Sequence, residues 1–420
     1  MAQKHTTTVV IGAGHSGLAM SYRLRERGID HVVLERGQIA DSWRHGRWDS
    51  LRLLTPNWQA ELPGARYSGT DPDGYLTMPE VVDHIVDYAR IASAPVVSST
   101  AVERVSAIDG GYRVQTDAGE WHAKTVVAAT GACTLPNIPA LADGVPAGVR
   151  QLSPLDYRSP AMLDDGGVLV VGASASGVQL AEEIALSGRR VVISTGEHVR
   201  MPRTYRGHDI FWWMHHAGVL DERYDEVDDI VRARHVPSPQ LIGSPERREL
   251  HLGTLQDHGV EVVGRLGMIR DGVALFSGGL ANVTRLADLK QERLLDRFDE
   301  WALQSGRADG IPPHRPEPVT VPAQPRLKLD LVAEGISTII WATGFTADYS
   351  WLDVPVVDRK GRVVHDGGVT EAKGLYVLGT SLLRRRRSTY INGAAQDSDD
   401  LAAHLDATLA GDSRAARVPA

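Results

Sequence analysis

Cysteine is almost missing from this chain: Cys133 is the only one among 420 residues. One thiol closes no internal disulfide and supplies no C-x-x-C or C-x4-C pair, so chemistry that passes electrons through a dithiol is excluded. Cys133 itself follows an apolar strand signal and reads as a small buried residue. No apolar run approaches the roughly 18 residues needed to cross a bilayer. The first residues also lack the basic-then-apolar pattern of a leader, so a cytoplasmic protein with no membrane partner is expected. An excess of positive charge is missing too. With 45 basic against 53 acidic residues the net charge is -8, which leaves no footprint for nucleic acid and speaks mainly of solubility. His215-His216 has no further Cys, His or acid at ligand spacing, so no metal is expected. What is present is ordinary for a globular protein: 42% hydrophobic and 23% charged residues. The length exceeds a single core, so two interleaved or sequential domains are expected.

The rest is organised around Thr7 to Gly37. An apolar run (Val9, Val10, Ile11) enters Gly12-Ala13-Gly14-His15-Ser16-Gly17, a helical stretch follows, and a second apolar run (Val32, Val33, Leu34) ends on Glu35-Arg36. Strand, glycine turn, helix, strand and acid in that order are the fingerprint of a dinucleotide site. Gly12 makes the tight turn, Gly14 lets backbone N–H groups approach a pyrophosphate, and Gly17 lets the helix pack on the strand. Ser16 sits in the same turn, and Glu35 accepts from ribose hydroxyls. A site this close to the N-terminus suggests FAD.

A second copy lies 160 residues on. Val168 to Val171 enters Gly172-Ala173-Ser174-Ala175-Ser176-Gly177, with Gly12 over Gly172, Ser16 over Ser176 and Gly17 over Gly177 at that single offset. The position of Glu35 becomes Thr195. A carboxylate there favours a 2′-hydroxyl and repels a 2′-phosphate, whereas Thr195 repels nothing, and Arg200 and Arg203 follow. The second site is therefore expected to prefer NADPH, with the two arginines either on the phosphate or simply solvated.

Both units end alike. An apolar strand runs into Ala129-Thr130-Gly131, and Ile339-Ile340-Trp341 runs into Ala342-Thr343-Gly344-Phe345; these are read as hinges between two domains. Between Trp43 and Trp58 three tryptophans fall within sixteen residues. They suit a flavin wall or an interface filling, and Asn57 suits either a turn or an amide donor to the flavin edge or a bound peroxide. Val102 to Ala129 reads as a three-stranded meander and Pro79 to Ile91 as a helix. Tyr205 to Gly259 interrupts the second unit, and its Trp212, Trp213, His215 and His216 mark either a substrate wall or an apolar packing helix. Arg307 to Pro325 is a proline-rich connection. Gly379 closes a last strand before Arg384-Arg385-Arg386-Arg387, a run that is either exposed or drawn to NADPH phosphates. A helix from about Gln396 is expected to point its N-terminus at the flavin.

With these motifs in hand the chain resembles the class B flavoprotein monooxygenases: flavin-containing, Baeyer–Villiger and plant indole-pyruvate enzymes, and a group of small bacterial flavoproteins. The resemblance rests on Gly12-x-Gly14-x-x-Gly17, Trp43, Gly172-x-Ser174-x-Ser176-Gly177 and Ala342-Thr343-Gly344-Phe345. It implies an α/β fold of two Rossmann-like dinucleotide-binding domains with the NADP domain inserted in the FAD domain: residues 1–150 and 336–420 for FAD, 151–335 for NADP, with a helical insertion at about 205–259. It also implies FAD and NADPH as cofactors, O2 and a small apolar or aromatic molecule as substrates, and a C4a-(hydro)peroxide as oxygenating species. Asn57 is the candidate catalytic residue, and Arg36, Trp43, Thr130, Gly131, Thr343, Gly344 and Gly379 join the turns as cofactor contacts. In the family a linker before the second turn carries His-Ser-x-x-Tyr. Here Ser153 stands at the histidine and Tyr157 keeps the tyrosine, which counts against Baeyer–Villiger chemistry and leaves oxygenation standing. An NADPH-dependent reductase or oxidase without oxygen insertion, and a non-catalytic redox sensor, are the alternatives. A homodimer is left open.

Overall fold

The computed structural model describes residues 3–307 and 310–415. Ala308 and Asp309, part of the proline-rich connection, lie outside the described residues. Two sheets carry the fold. The first has eight strands, ordered Leu352–Asp353, Val102–Ile108, Gly111–Thr116, Gly119–Ala128, Gln3–Ile11, His31–Leu34 and Val96–Val97, with Leu375–Val377 also pairing Gly119–Ala128. Gln3–Ile11 pairs in parallel on both sides, and Val9, Val10 and Ile11 are buried. An unbroken apolar run is what a strand covered on both faces requires. The expected meander is present as the antiparallel ribbon from Val102 to Ala128.

The second sheet has five strands, ordered Glu261–Gly264, Val191–Thr195, Gly167–Val171, Ile336–Trp341 and Arg150–Leu152, all parallel. This moves one boundary. Ile336–Trp341, expected to open the returning part of the first domain, is instead a central strand of the second sheet, because Ile339, Ile340 and Trp341 find buried partners there. The chain then pairs Phe345–Thr346 with Leu135–Pro136 in a separate ribbon and rejoins the first sheet at Leu352–Asp353.

Helices cover both sheets. Met78–Ile91 starts at a Thr77–Glu80 capping box, and its apolar stripe of Val81, Val82, Ile85, Tyr88 and Ala89 faces the first core. Gly393–Ala415 packs on His15–Glu26. In the insertion only Ile210–His216, Ile230–Arg234 and Leu252–Asp257 are helical. Residues 221–229, between the first two of these, hold turns and bends and no helix. Leu280–Ser305 is a single long helix. None of the described helices is long and apolar enough to cross a membrane.

Candidate functional site

The two glycine turns are the same object built twice. Gly12 and Gly172 both take φ of +107°, and a Cβ on either would stand 2.6 and 2.3 Å from the carbonyls of Ala129 and Ala342. Those carbonyls belong to the two Ala-Thr-Gly segments, so each hinge packs under its own turn. Gly12 N–H donates to Leu34 O at 2.8 Å and Gly172 N–H to Ser194 O at 2.9 Å. A Cβ on Gly17 or Gly177 would sit 1.9 Å from the carbonyl of Gly12 or Gly172, which fixes both as glycine. Gly14 and Ser174 share their backbone conformation, φ −82° and −83° with ψ −179° and −176°. Ser174 therefore costs no strain where the first turn has glycine.

The helices that follow, His15–Glu26 and Ala175–Leu186, receive no side-chain hydrogen bond at their N-caps. Their first-turn N–H groups point outward uncompensated and carry the positive end of the helix dipole. Both helix starts open onto one cavity of about 1270 Å3. It is lined by Gly12, Gly14, Ser16, Glu35, Arg36 and Trp43 from the first unit and by Gly172, Ser174 and Ser176 from the second. Thr130 and Gly131, Thr343 and Gly344, and Gly379 complete it. A Cβ on Gly14, Gly131 or Gly344 would meet nothing within 4 Å, so these glycines leave open room in the cavity. Gly379 has a different reason: its Cβ would stand 2.7 Å from Ser16 Oγ. Buried Glu35 accepts from Ala13 N–H at 2.8 Å and from Gly37 N–H at 3.0 Å, tying the acid to the turn it faces.

Several expected contacts lie elsewhere. Arg200 is buried with its guanidinium 2.6 Å from Asp288, and Arg203 is fully buried 2.6 Å from Asp209; neither lines the cavity. Thr195 is sealed in its strand and also stays off the lining. Buried cations need carboxylates: Arg200 ties the segment before the insertion to the long helix, and Arg203 ties that segment to the insertion's first strand pair. Asn57 is corrected as well. Its amide donates to Asp71 O at 2.9 Å and accepts from Leu76 N–H at 2.7 Å, and the residue does not line the cavity. It is a loop clasp. Ser153 caps its own turn, donating to Asp156 at 2.6 Å.

The three tryptophans separate. Trp43 lines the cavity edge-on to His15, Trp48 fills the second core, and Trp58 meets His215 edge-on. Trp212 and Trp213 form no wall: Trp213 is buried against Phe298 and Trp301, and Trp212 stacks between His208 and His216. The insertion lines the cavity with Arg234, His235, Val236, Pro237 and Ser238 instead. The arginine run is consumed by carboxylates: Arg384 and Arg385 by Asp400, Arg385 also by Asp397, Arg386 by Glu222 and Arg387 by Asp221. It straps the insertion to the C-terminal helix. Thr389 and Tyr390, just before that helix, do reach the cavity. Sequence reasoning missed Arg47, Arg234 and Arg265, which line it without a carboxylate partner among the described residues. Arg265 had a usable signal: it directly follows a strand of the second sheet, and ligands in such folds lie beyond the carboxyl ends of the strands.

The chain is similar to known proteins over most of its length. The Pyridine nucleotide-disulphide oxidoreductase family matches residues 9–207. A protein of Geobacillus kaustophilus described as an uncharacterized CzcO-like oxidoreductase is 32% identical over 396 residues, covering 94% of this chain and 96% of its own. The indole-3-pyruvate monooxygenase YUCCA1 of Oryza sativa subsp. japonica is 32% identical over 322 residues, covering 72% of this chain and 77% of its own. A flavin-containing monooxygenase from Stenotrophomonas maltophilia shares the fold at a TM-score of 0.65 and 20% identity, over 96% of this chain and 99% of that one. The chain belongs to the class B flavoprotein monooxygenase family. It is thus a flavin-dependent oxidoreductase, from a family whose members use FAD and NADPH. With one cysteine it has no dithiol of its own to reduce.

Proposed function

We propose that this protein is an NADPH-dependent monooxygenase that uses FAD to place one oxygen atom from O2 on a small apolar or aromatic substrate. The observation that carries the reading is the single cavity shared by two uncapped helix starts, each set on its own glycine turn. One dinucleotide at each turn brings their reactive ends together between the sheets. The residues fit the groups. Open room above Gly14, Gly131 and Gly344 admits a flat ring and its phosphates, and the cavity-lining Thr130 hydroxyl is buried without a partner. In this reading residues 3–130 and 345–415 hold FAD, and residues 150–344 hold NADPH.

FAD supplies hydride acceptance and oxygen activation when bound. The chain's own part is binding, orientation and exclusion of water. The N–H groups of the two first helical turns bind pyrophosphates, and Glu35 is positioned for a ribose of the first nucleotide. Trp43 forms an apolar side wall, with the Arg47 guanidinium 5.2 Å over its ring. Tyr390, whose phenol burial pushes upward, stays protonated and closes the wall before the C-terminal helix. Pro237, Val236 and Leu155 add apolar lining to the cavity, which favours an apolar guest. A cytoplasmic setting, where NADPH is made, belongs to the same reading.

The test is NADPH consumption by the flavin-loaded protein with a panel of amines, sulfides, ketones and aromatic 2-oxo acids. One product is expected to gain the mass of one oxygen in step with NADPH used. NADPH consumption that yields only hydrogen peroxide with every compound would replace this reading with an oxidase.

A further inference from the structure

The removal of Arg200 and Arg203 from the cavity leaves the second site without the cations expected to read a 2′-phosphate. Another residue stands where that group would lie. In a dinucleotide fold the pyrophosphate sits on the glycine turn and the adenosine ribose lies beyond the end of the second strand. Here that strand is Val191–Thr195, and Glu261–Gly264 pairs beside it in parallel register, Thr195 opposite Gly264. Arg265 is the next residue.

Its main chain is clamped from three directions. Ser194 Oγ donates to Gly264 O at 3.0 Å and accepts from Leu266 N–H at 2.8 Å, so one hydroxyl holds the backbone on both sides of Arg265. Ser277 N–H donates to Arg265 O at 2.9 Å. Gly264 leaves no slack, since a Cβ there would stand 1.9 Å from Ser277 O. The side chain is the opposite case. It is exposed, lines the cavity beside Gly196, and has no ion pair among the described residues. Arg190, Arg200, Arg203, Arg206 and Arg248 in the same part of the chain all hold a carboxylate. A rigid backbone presenting one unpaired guanidinium at the ribose end is suited to a dianion. Glu197, an acid on the same lining, is already held by Lys290 at 2.7 Å.

We infer that Arg265 is the residue that selects NADPH over NADH, by pairing with the 2′-phosphate; the inference rests on the NADPH reading above. The test is calorimetric titration of flavin-loaded protein with NADP+, NAD+ and 2′,5′-ADP, none of which turns over. Wild-type protein is expected to bind NADP+ and 2′,5′-ADP well and NAD+ weakly. Arg265→Ala is expected to weaken NADP+ and 2′,5′-ADP by about 10- to 100-fold, the range of a lost hydrogen-bonded charge contact, and to leave NAD+ within about twofold. Arg265→Lys is expected to fall between. The exposed position makes misfolding a minor concern, and an unchanged melting temperature checks it. A variant that keeps the wild-type ratio, or weakens NADP+ and NAD+ alike, overturns the assignment alone. Wild-type protein that takes up neither nucleotide overturns the NADPH reading and the assignment with it.

Discussion

The two dinucleotide units agree in backbone almost to the degree and disagree at the end of one strand. Gly12 matches Gly172, and the helices that follow are both uncapped and both 12 residues long. At the strand end the first unit has a carboxylate tied to the turn by Ala13 N–H, while the second has a hydroxyl sealed in the sheet and an arginine supplied from the neighbouring strand. The turn is common equipment for any pyrophosphate; on the reading proposed above the choice of nucleotide is made beyond it, at the strand ends.

The largest effect expected from breaking this comparison comes from the arginines that do not belong to it. Arg203→Ala leaves Asp209 buried without its cation and is expected to cost about 3–5 kcal/mol of stability. The same variant should leave the ratio of NADP+ to NAD+ affinity unchanged. Thermal melts with nucleotide titration check both, and a stable variant with a lost ratio would return Arg203 to the phosphate.

Next come the glycines. Gly17→Ala forces a methyl onto the Gly12 carbonyl and is expected to cost about 1–3 kcal/mol and to yield protein without bound flavin. Gly177→Ala should instead spare flavin and abolish nicotinamide-nucleotide binding. Absorbance of the purified variants, read beside calorimetry, separates the two; equal effects of both changes on both nucleotides would mean that the units are not independent sites.

Glu35→Gln sharpens the comparison more gently. It keeps the shape but weakens the contacts to Ala13 and Gly37, and is expected to lower flavin affinity by about tenfold, or 1.4 kcal/mol. Fluorescence titration of apoprotein with FAD measures it. Affinity equal to wild type would reduce Glu35 to a fold residue. At neutral pH a last contribution is silent, and it emerges only on acidification. Burial holds His15, His251 and His365 down at about 4, from 6.5. Their folded values are depressed, so the unfolded chain takes up protons first and stability falls as pH drops from about 6.5 towards 4. His15→Phe should flatten that fall, as melting temperature against pH would record.

The glycine turns, the repeat, the meander and both Ala-Thr-Gly ends were legible in the sequence because each depends on local backbone geometry. The site contacts were only partly so. Gly14, Glu35, Trp43 and Thr130, on or beside the turns, line the cavity. Arg200, Arg203 and Asn57 lie off it, because their side chains are claimed by carboxylates and backbone elsewhere: Arg200 by Asp288, Arg203 by Asp209 six residues on, and Asn57 by a loop closed 14 and 19 residues later. Arg265 follows a legible strand, Glu261–Gly264, but that this strand lies beside Val191–Thr195 is a matter of pairing that sequence order alone does not give. Ile336–Trp341 was assigned to the wrong sheet for the same reason.

Anaerobic mixing of the flavin-loaded protein with NADPH tests most directly the claim that one cavity holds both nucleotides face to face. Rapid bleaching of the visible flavin band, slower with NADH, is the predicted result. A flavin that stays yellow while NADPH is shown to be bound would contradict it.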